Sequence, residues 1–177
     1  MNKNKFNNVL VVLGGTSGER TVSLDSGRAC VKALRKKRYN VSIFDPKFKN
    51  LNLINKRQVD VIFNALHGKG GEDGVAQSYF EYLKIPYTHS GVVSSYNAMN
   101  KLISKKIFAK NNIKTPKFFT IQKKEFHIQI LRKNIINKKI KFPVVVKPIN
   151  EGSSLGVKVC KNRTLLIIEI KKLFKKY

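Results

Sequence analysis

The sequence predicts an α/β protein whose first part is an open parallel sheet. Three observations carry this. Short apolar runs at Val9–Leu13, Val41–Phe44 and Asp60–Ala65 lack polar alternation, as strands covered on both faces do. Ser23 to about Lys37, between the first two runs, repeats its apolar residues Leu24, Val31 and Leu34 at helical spacing. Glycine-rich loops follow the first and third runs, at the carboxyl ends of strands, where open α/β sheets bind ligands.

The elements follow in order. Val9–Leu13 ends in Gly14-Gly15, and the helix from Ser23 follows it. Asp45-Pro46 stops the second strand. After the third, "HGKGGEDG" leads into a helix over Val75–Leu83 and a short strand over Ile85–Thr88. This alternation is the mark of a parallel sheet. The rhythm changes after Gly91, and a domain boundary is expected near Tyr96, dividing residues 1–96 from 97–177. Asn97–Asn111 has neither glycine nor proline and reads as one helix. Phe118–Ile121 reads as a strand and Phe126–Lys139 as a basic amphipathic helix. Val144–Lys147 and Val157–Cys160 read as strands flanking a small-residue loop, and a last amphipathic helix starts at Thr164.

At 177 residues and 42% hydrophobic content the chain can bury a core of one domain or two small ones. No apolar run is long enough to span a bilayer. The start "MNKNKFNNVLVVLGG" reads as a charged lead into a strand, its apolar run too short for a secretory signal. Cys30 and Cys160 have no metal-ligand spacing, and two lone cysteines fit a reducing cytoplasm. The net charge of +26 admits a polyanion partner, but the lysines are scattered, no aromatic stacking motif accompanies them, and no nucleic-acid signature occurs. Neither a nucleic-acid nor a membrane partner is expected; compositional drift is the favoured account of the charge, and a polyanion-binding protein is the competing one.

Three stretches carry chemistry. "GGTSGERTVSLDSG", Gly14–Gly27, joins the first strand to the first helix; it lacks the GxGxxG pattern of dinucleotide sites. Backbone and helix N-terminus there suit an anionic group, and the same loop reads equally as a helix-entry turn with a Glu19–Arg20 surface ion pair. "ALHGKGGEDG" puts His67 directly after a buried strand, in a loop whose four glycines suit close approach to a ligand. In "FPVVVKPINEGSSLGV", Lys147 ends an apolar strand, and a lysine buried there would need an anionic partner. The backbone N–H groups and hydroxyls of Glu151–Gly156 could cradle phosphate, although the Walker A pattern is absent and a plain Gly-Ser hairpin turn reads as well.

Taken together, "LGGTSGERTVSLDSG", "ALHGKGGEDG", "IPYTHSGVVSSYNAMNK" and "FPVVVKPINEGSSLGV" resemble the D-alanine–D-alanine ligases of the ATP-grasp superfamily, in order and over nearly the whole chain. The resemblance implies a Rossmann-like pre-ATP-grasp domain over 1–96 that binds D-alanine, then the first part of an ATP-grasp α+β domain over 97–177. It implies that Glu19 holds the ammonium of the first D-alanine and His67 lies near its carboxylate. Lys101 and Lys147 would contact ATP phosphates. Glu151, Gly152, Ser153, Ser154 and Gly156 would fold over the transferred phosphate, with Ser153 joining Glu19 in orienting substrate and loop. The implied reaction uses ATP with Mg²⁺ or Mn²⁺ to make an acyl phosphate, which the amine of a second D-alanine attacks, for peptidoglycan precursors in the cytoplasm. Family members are commonly homodimers through the N-terminal domain.

Family members are also longer. The adenine grip, the loop selecting the second substrate, the arginine on the transferred phosphate and the magnesium ligands match nothing here. No metal ligand is therefore assigned. The chain is expected to be a fragment, a truncated gene product, or half of a split enzyme with a separate chain supplying the C-terminal half, and to be inactive alone. A non-catalytic remnant keeping a D-alanine or nucleotide subsite is the alternative.

Overall fold

The computed structural model describes residues 6–177; the charged start, Met1–Lys5, lies outside the described residues. Two compact units divide between Met99 and Asn100.

The first unit is built on a parallel sheet of order β2-β1-β3, formed by β1 (Asn8–Val12), β2 (Asn40–Phe44) and β3 (Val61–Asn64). Leu10 pairs with Ser42 on one side and with Ile62 on the other, so β1 is central. Alternate residues of β1 serve opposite faces. Leu10 and Val12 pack with Phe44, Ile62, Ala76 and Phe80 under α2 (Val75–Tyr82), while Val9, Val11 and Leu13 pack with Val31 under α1 (Arg20–Lys36). A strand buried on both faces needs apolar residues at every position, which is why β1 reads as an unbroken run. Ser23, fully buried in α1, accepts from Gly14 N–H at 2.8 Å and donates to Ala65 O at 2.6 Å, tying together the carboxyl ends of β1 and β3.

Three expected elements differ. Ile85–Thr88 is reduced to one parallel bridge, Ile62 to Tyr87. The single helix over Asn97–Asn111 is two: α3 (Val92–Met99) and α4 (Lys101–Lys110). Asn100 breaks it by turning its side chain onto the N–H groups of Leu102 and Ile103, each at 3.0 Å. Phe118–Ile121 makes no strand; Phe119 and Ile121 instead pack as side chains against the core of the second unit.

That second unit has an antiparallel pair, β4 (Val144–Val146) and β5 (Lys158–Cys160), covered on one face by α5 (Ile128–Asn137) and α6 (Arg163–Lys176). Leu131, Ile135, Cys160, Leu166 and Ile170 form its core, with Phe126 and Phe174 edge-to-face at 5.6 Å. The paired Val145 and Val159 lie on the other face and are exposed. Among the described residues no helix is long and apolar enough to cross a membrane.

Candidate functional site

Glu19 is the N-cap of α1 and only 4% exposed. Its backbone N–H donates to Ser17 Oγ at 3.1 Å, and the helix N-terminus favours a carboxylate there. Ser17 Oγ donates in turn to His67 O at 2.7 Å, so the first loop is stitched to the residue that follows β3. Ligand atoms of Glu19, His67 and Glu72 all lie within 4.8 Å of one another. His67 Nε2 is 3.1 Å from Ser26 Oγ, and Nδ1 is 3.8 Å from Glu72 Oε1. The fold thus brings together Glu19 and His67, 48 positions apart in sequence, at the carboxyl edge of the sheet.

The glycine loop is knit by its own acids. Glu72 Oε2 accepts from Gly68 N–H at 2.7 Å and Asp73 Oδ2 from Gly70 N–H at 2.9 Å. The buried amides of Asn64 and Gln77 both donate to Gly71 O, at 3.0 and 2.8 Å. Gly68 has φ +69°, and a Cβ there would stand 2.8 Å from Glu19 Oε1. The loop needs glycine at 68 so that backbone can lie against the Glu19 carboxylate.

The helix-entry reading of this loop pairs Arg20 with Glu19. Arg20 instead grips Asp45, with Nη1 3.1 Å from Oδ1 and Nη2 2.8 Å from Oδ2, and donates from Nη1 to Gly15 O at 2.7 Å. Asp45 Oδ1 also accepts from the N–H groups of Gly15 at 3.0 Å and Lys47 at 2.9 Å. The Gly15 peptide is therefore held at both its N–H and its C=O. Burial alone would raise the Asp45 carboxyl; the Arg20 hydrogen bond, the two backbone N–H groups and the Arg20 charge outweigh it and hold Asp45 below the ordinary carboxylate range. The same hydrogen bond raises Arg20.

In the second unit, Lys101 begins α4 and its ammonium donates to the carbonyls of Glu151 and Ile149, so it is fastened to the first residue of the Glu151–Gly156 turn. Ser153 and Ser154 have φ of +41° and +61°, left-handed values that non-glycine residues seldom adopt and that cluster at ligand-binding turns. Leu155 N–H donates to Gly152 O and Val157 N–H to Ser154 O within the turn. Lys147 is not buried, as the sequence had suggested. It stands just past β4 on the open face, two residues on from Val145, and is exposed because the period of a strand is two. Burial and then the charge of Lys147 push Lys105 below the ordinary lysine range, so an anion beside them would relieve repulsion between two cations. Glu19, His67 and Glu72 make the one group of three metal-ligating side chains among the described residues. The second unit therefore offers no such cluster for a phosphate-bound magnesium ion.

Sequence reasoning missed Ser17, Ser26, Glu72 and the Arg20–Asp45 clamp. Asp45 directly following a strand at the same carboxyl edge was the available signal.

The first unit sets a carboxylate and an imidazole at the carboxyl edge of a parallel sheet, and the second carries a lysine-fastened serine turn; both belong to an α/β protein. Models of the D-ala D-ala ligase N-terminus and D-ala D-ala ligase C-terminus match residues 44–90 and 107–177. A D-alanine–D-alanine ligase of Pelagibacter ubique is 52% identical over 159 residues, 89% of this chain and 51% of the relative. The crystal structure of the D-alanine–D-alanine ligase from Bacillus anthracis superposes with a TM-score of 0.80 at 36% identity, covering 95% of this chain and 54% of that one. A second crystal structure of that enzyme, complexed with ATP, gives 0.75 at 33% identity, covering 95% and 55%. The chain belongs to the D-alanine–D-alanine ligase family. It spans about half the length of the curated relatives it matches.

Proposed function

We propose that this chain carries the first D-alanine site and the phosphate-covering turn of an ATP-dependent ligase that joins two D-alanines for peptidoglycan precursors in the cytoplasm. Residues 1–96 act as the D-alanine-binding domain and 97–177 as the first part of an ATP-grasp domain. The observation that carries the proposal is the meeting of Glu19 and His67 within 4.8 Å. An α-amino acid is a zwitterion with both charges on one carbon, and a buried carboxylate beside an imidazole is complementary to it.

Glu19 holds the ammonium and His67 the carboxylate. Lys101 and Lys147 bind nucleotide phosphates, and Glu151, Gly152, Ser153, Ser154 and Gly156 cover the phosphate being transferred. ATP supplies the phosphoryl group that converts a carboxylate, a poor electrophile, into an acyl phosphate open to attack by an amine. The residues of this chain contribute positioning and charge neutralisation. No step is assigned to a metal ion, since the second unit lacks a ligand cluster for one.

Calorimetric titration with D-alanine tests the proposal. Saturable binding that is absent with L-alanine, and lost in Glu19→Gln and His67→Ala, is expected. Equal binding of both enantiomers, or binding that survives both substitutions, would overturn it.

A further inference from the structure

The proposed reaction uses Glu19 and His67 and gives Glu72 no part. Yet a ligand atom of each of the three lies within 4.8 Å of the other two. Each side chain is held by a partner outside the group. Glu72 Oε2 accepts from Gly68 N–H at 2.7 Å, which leaves Oε1 towards His67 Nδ1, at 3.8 Å. On the ring's other side, Ser26 Oγ is 3.1 Å from Nε2 and 2.8 Å from Val22 O. A serine has one hydrogen to donate and a carbonyl only accepts, so that hydrogen goes to Val22 and Nε2 brings its own to Ser26. Nδ1 is the nitrogen left for the site. Glu19 is fixed at the start of α1, 4% exposed.

Two carboxylates gathered about one imidazole lone pair repel it unless something positive lies between them. A hydrogen on Nδ1 is one answer, and holding a substrate carboxylate requires it. A metal ion is the other. One imidazole nitrogen and two carboxylate oxygens are donors that suit zinc and leave its fourth position open, whereas magnesium takes oxygen ligands. Ligands oriented from behind, as Ser26 orients His67 and Gly68 orients Glu72, are the rule in metal sites. Zinc bonds of about 2.1 Å set tetrahedral ligands about 3.4 Å apart, so the group needs to draw in by roughly 1 Å, and Glu72 is exposed and able to turn.

We propose that Glu19, His67 and Glu72 bind a divalent transition-metal ion of the zinc type, which shuts the amino-acid site. The two occupants exclude each other, because Nδ1 must bring a hydrogen to a substrate carboxylate and a lone pair to a metal. Only this exclusion rests on the D-alanine reading; the metal site stands on the geometry of the three side chains.

The test is calorimetric titration of the full chain with ZnCl₂, with ¹⁵N-histidine spectra to show which of the three histidines responds. Saturable binding that shifts the His67 signals is expected. Glu72→Gln keeps an acceptor for Gly68 N–H, so the loop is retained, and it should weaken zinc by at least about tenfold. His67→Ala should do the same or more, and Ser26→Ala, which keeps a good helix former in α1, should cost about 10- to 100-fold. Absence of saturable binding by wild type, or an affinity unchanged in either His67→Ala or Glu72→Gln, would overturn the site, as zinc held by Cys30 or Cys160 would show. Displacement by Mg²⁺ at equal concentration would overturn the choice of metal. Saturating D-alanine should raise the apparent Kd for zinc, and indifference to bound D-alanine would overturn the exclusion. If wild type binds no D-alanine, the proposed function falls, and the zinc titration still decides the metal site.

Discussion

Replacing Gly68 by alanine separates backbone strain from site geometry, because Gly70 provides a matched control two residues away. Gly68 has φ +69° and Gly70 φ +83°, so alanine at either position must adopt a left-handed conformation, at a cost of about 1–2 kcal/mol. The surroundings differ. At Gly70 an added Cβ meets nothing within 4 Å, whereas at Gly68 it stands 2.8 Å from Glu19 Oε1 and 3.2 Å from Glu19 Cδ. The carboxylate must shift, and at 4% exposure it has no solvent to swing into.

Both variants should therefore unfold earlier, by roughly 4–8 °C per kcal/mol for a unit of this size. Only Gly68→Ala should lose D-alanine affinity. A displaced charge-assisted hydrogen bond to the ammonium is worth about 1.5–3 kcal/mol, or about 10- to 150-fold in Kd. Calorimetry well below both unfolding midpoints reads the difference. Equal affinities for the two variants, with both folded, would refute the placing of Glu19 against the ligand ammonium.

Two further outcomes follow from the same geometry. Asp45 is held below the ordinary carboxylate range in the folded state, so the unfolded chain binds more protons as pH falls through that interval. Its stabilisation is present above the unfolded value of about 3.9 and is lost as pH drops through the lower folded value; the gap in urea midpoint between wild type and Asp45→Asn should therefore shrink from pH 6 to pH 2, and a gap independent of pH would count against the clamp. Asn100→Ala should destabilise the second unit by about 1 kcal/mol, and Asn100→Asp by much less, since aspartate caps equally well; denaturant midpoints equal to wild type for the alanine variant would show that Asn100 is no cap.

How much of this was legible depends on whether the determining contact was local. The sheet was legible because burial on both faces leaves a mark at every residue of a strand, as in Val9–Val12. His67 stood out because it lies in a glycine-rich loop just past a strand, at the carboxyl edge of the sheet; Glu19, at the start of the first helix, was singled out only through the family resemblance. The helix break at Asn100 was hidden because asparagine is tolerated inside a helix as well as at its start, and no glycine or proline marks the site. Phe118–Ile121 carries strand-forming residues, but β-propensity expresses packing against partners, and these side chains found their partners in a helical core.

The Arg20 pairing shows the limit most directly. Adjacent residues at a helix start diverge around its axis, so neighbours in sequence such as Glu19 and Arg20 are poorly placed to meet. Arg20 reaches Asp45, 25 residues on, because β2 runs parallel to β1 and delivers Asp45 to the same edge. The consequence is chemical. Arg20 is committed to Asp45 and the Gly15 peptide, while the Glu19 carboxylate lies with His67 and Glu72. An Arg20–Glu19 pair would have neutralised the group proposed to hold the substrate ammonium. On the proposed reading, the clamp that fixes the first loop also spends on Asp45 the cation nearest in sequence to the ammonium-holding carboxylate.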